Sequence, residues 1–193
     1  MNKNMSQAPT VEMIEAELEK EQYKHKYGRV LRSTVYVLII VAAIAVIIAV
    51  LLFPMLQITG NSMAETLQEG DVVFAFNSTD YESGDVVAFY YNNNILVKRV
   101  VATAGDWVDI DSDGNVSVNG ELLDEPYVSE KSLGNCNITF PYQVSDGQNF
   151  VLGDHRATSM DSRNSAIGCV DDDMVVGKIV FCVWPLTDFG FVH

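Results

Sequence analysis

Three segments of this 193-residue chain carry side chains able to do chemistry. In Ile58-Thr-Gly60-Asn61-Ser62-Met63, the Gly60-Asn61-Ser62 turn presents a serine hydroxyl. In Val97-Lys98-Arg99-Val100-Val101 a lysine interrupts an apolar strand pattern, and alternation puts Lys98 on the face opposite Val97 and Arg99. A buried lysine sheds its proton readily, because desolvation disfavours the ammonium form, and can then take a proton from a serine. The third segment runs Gly153-Asp154-His155-Arg156-Ala-Thr158-Ser159-Met-Asp161-Ser162-Arg163, with two acids, two arginines and two serines after Phe150-Val-Leu. It reads either as a polar loop held by its own Asp–Arg pairs or as a support that orients a catalytic group. Taken singly, each segment also has a plain explanation: a turn, a lysine snorkelling from a strand edge, a solvated loop.

Other candidates are weaker. Asp109-Ile-Asp111-Ser-Asp113-Gly114 imitates the start of a calcium loop, but the acidic end required six positions after Gly114 falls on Gly120, with Glu121 one too late. Asp113-Gly114 reads better as a hairpin turn. Asp171-Asp172-Asp173 reads as a solvated loop, and no metal site is expected. Of His25, His155 and His193, only His155 lies where a Ser-His-Asp arrangement could use it. Cys136, Cys169 and Cys182 form no C-x-x-C pattern; one disulfide plus a free thiol, or three thiols, both fit.

The elements that must position these groups are mostly strands. From Leu56 onward, short β-rich runs (Asp71–Phe76, Asp85–Tyr90, Ile95–Val101, Trp107–Ile110, Val116–Val118, Asn149–Leu152, Met174–Trp184) alternate with turn signals such as Glu69-Gly70, Ser83-Gly84, Asn119-Gly120 and Asp146-Gly147. Such spacing predicts an all-β domain of the sandwich or barrel kind. Upstream, Val35–Phe53 is an uncharged run of 19 residues without Gly or Pro. A helix of that length spans about 28 Å, the thickness of a hydrocarbon core. The 34 residues before it, five of them Glu, are unlike the short basic start of a signal peptide. The reading is a retained transmembrane helix ending at Pro54, preceded by a short helix from Val11 to about Tyr27, either separate from the span or continuous with it, and by a disordered stretch over residues 1–10.

Charge refines this division. The chain holds 12 basic and 26 acidic residues, net −14, which speaks against nucleic acid as a partner. Residues 1–34 carry +1 and the remainder −15. Lys24, Lys26, Arg29 and Arg32 precede the span, and no Lys or Arg follows until Lys98, so the N-terminus is expected in the cytoplasm and the β domain outside. The expected organisation is a cytoplasmic segment 1–34, a transmembrane helix 35–53 and an extracytoplasmic domain 54–193.

The three segments, in this order behind an anchor, resemble the bacterial type I signal peptidases, in the short form of Gram-positive members. The resemblance extends over about residues 54–192 and includes Gly105-Asp106, Asn119-Gly120, Glu125-Pro126-Tyr127-Val128 and Gly177-Lys178-Ile-Val-Phe-Cys-Val-Trp184-Pro185. It implies a membrane-bound Ser–Lys endopeptidase that removes signal peptides from exported preproteins, acting as a monomer without cofactor or metal. It implies a β catalytic domain with a small β extension within 107–149. Ser62 would be the nucleophile and Lys98 the general base. Ser159 would hydrogen-bond the lysine, Asp161 and Arg163 would form a salt bridge beside the site, and Gly153 and Asp154 would open that motif. Leu56, Ile58, Met63 and Val97 would line shallow pockets for small side chains at the first and third positions before the cut, the substrate adding as an extended strand.

Three positions depart from the family pattern. Gly60 stands where some members have a serine that adds an oxyanion donor beside the Ser62 N–H; losing such a donor costs about 2.7–4 kcal/mol. Glu65 stands where proline is usual, and His155 where asparagine is usual. The mechanism also carries a demand: lowering a lysine from about 10.4 to around 8 takes about 3 kcal/mol against the charged form. In a −15 domain, Lys98 must therefore be dry and free of carboxylate partners. Three rivals share parts of this pattern: a self-cleaving Ser–Lys repressor, which lacks an anchor; a catalytically silent anchored β module; and a sortase-type transpeptidase, which needs a Cys nucleophile.

Overall fold

The computed structural model describes residues 11–52, 54–78 and 80–192. The disordered stretch expected over residues 1–10, the last residue of the expected span, Phe53, and His193 lie outside the described residues. The chain divides into two units between Ala49 and Val50.

The N-terminal element is a single helix, α1 (Val11–Leu52), so of the two arrangements the sequence left open, the short helix is continuous with the span. Gly28 sits inside it without breaking it. Within α1, Lys26–Ile48 is long and apolar enough to cross a membrane, with mean hydropathy 2.5. Its apolar side chains stand exposed on every face, Val35 to Ile48 included. A helix that is apolar all round needs an apolar surrounding, so the helix has the character of a membrane anchor.

The second unit is mostly β. Its strands are β1 (Met55–Gln57), β2 (Val72–Phe76), β3 (Val86–Tyr91), β4 (Asn94–Ala102), β5 (Trp107–Ile110), β6 (Val116–Val118), β7 (Glu121–Leu122), β8 (Tyr142–Gln143), β9 (Gln148–Leu152), β10 (Val170–Asp171), β11 (Val175–Trp184) and β12 (Gly190–Phe191). The runs read from sequence reappear as β2, β3, β4, β5, β6, β9 and β11, within a residue or two at their ends. The short strands carry too few side chains to show an alternation.

The larger sheet is ordered β1-β2-β11-β3-β4-β9-β10, with β12 on β11; the smaller is ordered β7-β6-β5-β8. Neither closes into a barrel, because β1 and β10 end the larger sheet with one neighbour each. Of the two shapes the sequence allowed, open packed sheets are the observed one. Asp113-Gly114 turns the β5–β6 hairpin, in which Ile110 faces Val116. Gly114 has φ +82°, and a Cβ there would sit 2.4 Å from the Ser132 backbone nitrogen, so close approach as well as dihedral calls for glycine.

The core is built by β-branched side chains in three clusters. Val73, Val86, Ala88 and Ile179 bury Met63 and Leu67 from the turn that carries Ser62. Val101, Val108, Val116 and Phe150 join the smaller sheet to the larger. Val87, Phe89, Val100 and Val151 fill the other face of β3, β4 and β9. Strand β4 is thus covered on both sides along its second half, where Lys98, Arg99 and Val100 are all buried.

Candidate active site

Ser62 sits in a turn fixed from below. Gly60 takes φ +85°, Ala64 N–H donates to Asn61 C=O at 3.1 Å, and Thr66 and Leu67 N–H both donate to Met63 C=O, at 2.9 and 2.6 Å. Met63 and Leu67 are sunk in the core, which leaves Ser62 partly exposed above them. The Ser62 C=O in turn accepts the His155 N–H at 3.1 Å, so the third segment is tied to the first.

Lys98 comes from β4 and is 3% exposed. Its Nζ lies 2.7 Å from Ser62 Oγ and donates to Val97 C=O at 2.9 Å. Burial lowers its pKa from 10.5 to about 8, with Asp161 and Asp154 pulling the other way. Among the described residues no carboxylate ion-pairs with it. The carboxylates nearest in influence are already engaged. Asp154 binds Arg99 through two hydrogen bonds, at 3.0 and 2.8 Å. Asp161 binds Arg163 through two more, both 2.8 Å, and accepts the Gly153 N–H at 3.0 Å.

The 153–163 loop is not held only by its own pairs. Asp161–Arg163 is internal, but Asp154 pairs with Arg99 of β4, and Arg156 pairs with Glu125, at 2.6 Å, from the segment after β7. The physical reason is burial: all six side chains are 0–1% exposed, and buried charge is stable only when paired and hydrogen-bonded. Arg99 also donates to Gly84 C=O at 2.7 Å and lies 3.9 Å from the Tyr127 ring centroid. Sequence reasoning passed over Arg99, Glu125, Thr66 and Tyr127 as members of this network. An arginine directly beside Lys98 inside an apolar run was the available signal, since it must find an acid somewhere.

Ser159 is buried, and its Oγ has no hydrogen-bond partner, so the expected bond to Lys98 is not made in this arrangement. Its Oγ instead packs against Gly153: a Cβ on Gly153 would lie 2.2 Å from it and 2.7 Å from the Ser62 carbonyl oxygen. Gly60 faces open space and offers no hydroxyl. Glu65 is exposed and accepts the Ser129 hydroxyl at 2.6 Å. His155 turns its Nδ1 to Thr158 Oγ1, at 2.5 Å.

A cleft of ≈ 530 Å³ opens at the Ser62–Lys98 pair. Leu56, Ile58, Met63 and Val97 all line it, with Asn94 at the start of β4 and Asn93 in the turn before it. Ile58 and Met63 form its buried floor, at 5% and 2% exposure, while Leu56 and Val97 are half-buried. Among the described residues, β1 has β2 as its sole sheet neighbour, and residues 94–98 of β4 pair with β3 alone, β9 joining only from Arg99 onward.

Elsewhere, Asp111 is a turn acceptor, taking N–H groups from Asp113 and Asn115, both at 2.9 Å. Asp171 and Asp172 accept side-chain amides of Gln148 and Asn149, at 2.7 and 2.6 Å. No group of three His, Cys, Asp or Glu close enough to hold a metal occurs among the described residues. Cys136, Cys169 and Cys182 are free thiols.

The family profile described as "Signal peptidase, peptidase S26" matches residues 31–184. Signal peptidase IB of Staphylococcus aureus (strain MRSA252) is 37% identical over 154 residues, 69% of this chain and 79% of that one. Signal peptidase I of Bacillus amyloliquefaciens is 34% identical over 165 residues, 78% of this chain and 84% of that one. A crystal structure of a signal peptidase I from Enterococcus faecalis V583 is 28% identical with TM-score 0.42, covering 51% of this chain and 96% of that chain.

Proposed function

This chain belongs to the signal peptidase family, peptidase S26, whose members remove signal peptides as serine endopeptidases, and we propose that it does so with Ser62 as nucleophile and Lys98 as general base. The observation that carries the reading is the 2.7 Å approach of a buried lysine nitrogen, free of any carboxylate partner among the described residues, to a serine hydroxyl on the rim of a cleft.

In its neutral form Lys98 keeps an N–H on the Val97 carbonyl and turns its lone pair to the Ser62 hydroxyl. With a pKa of about 8, about one molecule in ten is in this form at pH 7 and half at pH 8. The Ser62 proton passes to Nζ as Oγ attacks the scissile carbonyl carbon. The oxyanion is held by the Ser62 N–H; with Gly60 two residues earlier, a second donor must be backbone or water. Collapse breaks the C–N bond, and the Lys98 ammonium gives its proton to the leaving amine, leaving an acyl-Ser62 ester and a neutral lysine. Water, deprotonated by Lys98, attacks the ester; the signal peptide leaves with a new carboxylate and Ser62 recovers its proton. Every step uses this chain's own groups, so the reading needs no cofactor and no metal.

The substrate is an extended segment laid along the free edges of β1 and residues 94–98 of β4, its backbone extending the sheet. Small side chains at the first and third positions before the cut fit the space above Ile58 and Met63, between Leu56 and Val97. The Asp161–Arg163 pair stands beside the base, its carboxylate neutralised by the arginine. α1 is the membrane anchor, oriented by Lys24, Lys26, Arg29 and Arg32 with its N-terminus in the cytoplasm and the β domain outside, acting as a single copy.

The test is processing of a preprotein with alanine at the first and third positions by the full chain in detergent. Wild type should release the mature protein, whereas Ser62→Ala and Lys98→Ala should not, although both stay folded. Release by either alanine variant at the wild-type rate would remove the dyad from the account.

A further inference from the structure

Thr66 lies four residues beyond Ser62 and outside the cleft lining, yet it meets the network that flanks the lysine. Its hydroxyl donates to Asp154 Oδ2 at 2.5 Å and accepts from Arg99 Nη2 at 2.9 Å, while Arg99 Nη2 and Asp154 Oδ2 are 2.8 Å apart. Three polar atoms from three distant parts of the chain thus close one ring of hydrogen bonds. Each corner is coupled to the site. Arg99 is the residue after Lys98 on β4. Asp154 precedes His155, whose N–H holds the Ser62 carbonyl at 3.1 Å. Thr66 is joined to the nucleophile's turn through its own N–H, given to Met63 C=O at 2.9 Å.

We propose that Thr66 is a positioning residue for the reaction: its hydroxyl locks the turn bearing Ser62 to the strand bearing Lys98 and to the Gly153–Arg163 loop. The inference rests on the dyad reading above and adds to it the element that sets the dyad's register. Arg99 and Asp154 satisfy each other without Thr66, through two hydrogen bonds, so the threonine is not needed to neutralise them. What Thr66 contributes is a side-chain link from the nucleophile's turn to both Arg99 and Asp154, beside the backbone bond from His155 N–H to Ser62 C=O. A hydrogen bond between Oγ and Nζ tolerates displacements of a few tenths of an ångström, and misplacement by about 1 Å can cost 100-fold in rate. Because the substrate cleft is built by other residues, the loss belongs to the chemical step and not to binding.

The experiment compares Thr66→Val, Thr66→Ser and Lys98→Ala with wild type, as full chains in detergent on one preprotein. kcat and KM are measured separately, and rates are divided by the folded fraction from circular dichroism. Thr66→Val, similar in shape but without the hydroxyl, should lower kcat about 10- to 100-fold with KM within about threefold. Thr66→Ser, which restores the donor and acceptor, should recover kcat to within about threefold of wild type. An unchanged kcat in Thr66→Val beside an inactive Lys98→Ala overturns this inference alone, as does a loss that Thr66→Ser does not restore or that vanishes on correction for folded fraction. Wild-type cleavage by Lys98→Ala removes the dyad reading, and this inference with it.

Discussion

Arg99 and Asp154, both buried, meet through paired hydrogen bonds from Nε to Oδ1 at 3.0 Å and from Nη2 to Oδ2 at 2.8 Å. This pairing decides what the adjacent lysine experiences. In a domain of net charge −15, a carboxylate beside Lys98 would keep it an ammonium; here Arg99 takes one and Arg163 the other. Their residual pull on Lys98 is smaller than the effect of burial, and its pKa falls to about 8. Arginine suits this duty because its planar fork satisfies both carboxylate oxygens at once and it does not give up its own proton.

Breaking that pair should be costly in an asymmetric way. Arg99→Gln leaves Asp154 buried and unpaired and should lower stability by about 3–5 kcal/mol. The double change Arg99→Met with Asp154→Leu removes both charges and should be less destabilised than Arg99→Gln. Urea unfolding of the three proteins checks the order; a double variant less stable than the single one would contradict it.

Lys98 itself should weigh on stability. Its folded pKa of about 8 lies below its ordinary 10.5, so the folded chain gives up this proton first. Below pH 8 both states are protonated and the full cost, about 3 kcal/mol, is present; it is relieved as pH rises from about 8 towards 10.5. Lys98→Met should therefore be more stable than wild type at pH 7, by about 1–2 kcal/mol once its lost hydrogen bonds are counted. By pH 10 the difference should move about 2–3 kcal/mol in favour of wild type, which closes the gap and leaves wild type equal or more stable. Denaturant melts at the two pH values measure this directly.

Gly153 has no room for a side chain. A Cβ would lie 2.2 Å from Ser159 Oγ and 2.7 Å from the Ser62 carbonyl oxygen. Gly153→Ala should destabilise by about 1–3 kcal/mol and cut processing about 100-fold. Adding Ser159→Gly should restore stability but not activity, because the contact with the Ser62 backbone remains. Melting temperature and processing rate, measured on the single and double variants, separate the two contacts.

The cleft floor and walls should respond differently. Ile58→Ala or Met63→Ala empties buried space and should cost about 2–5 kcal/mol of stability. Leu56→Ala and Val97→Ala widen half-buried walls and should leave stability within about 1 kcal/mol. They should also raise cleavage of preproteins with Leu or Val three residues before the cut by about tenfold relative to Ala. Comparing kcat/KM across a substrate series reads out the change.

The sequence made the strands legible where runs were long enough to alternate, as in β4 and β11, and left out β1, β7, β8, β10 and β12, of two or three residues each. It gave no means to choose between open and closed sheets, because closure depends on whether β1 and β10 find second neighbours. The helical stretch at Val11–Tyr27 and the apolar run at Val35–Phe53 were both visible; whether they fuse stayed open, since Gly28 lowers helix propensity without forbidding a helix, and α1 runs through it. At the site, Ser62 and Lys98 were picked out by type, order and resemblance. The pairing of arginines with acids was not, because Arg99–Asp154 and Arg156–Glu125 join residues far apart in the chain, where spacing carries no information.

The pH dependence of kcat/KM for preprotein processing tests the central claim most directly. If neutral Lys98 is the base, the rate should rise with pH through an inflection near 8, its protonated form being inactive below and its free form saturating above. A profile that turns over near about 6.5, the ordinary range of a histidine, or one that stays flat from about pH 6 to 9, would contradict it.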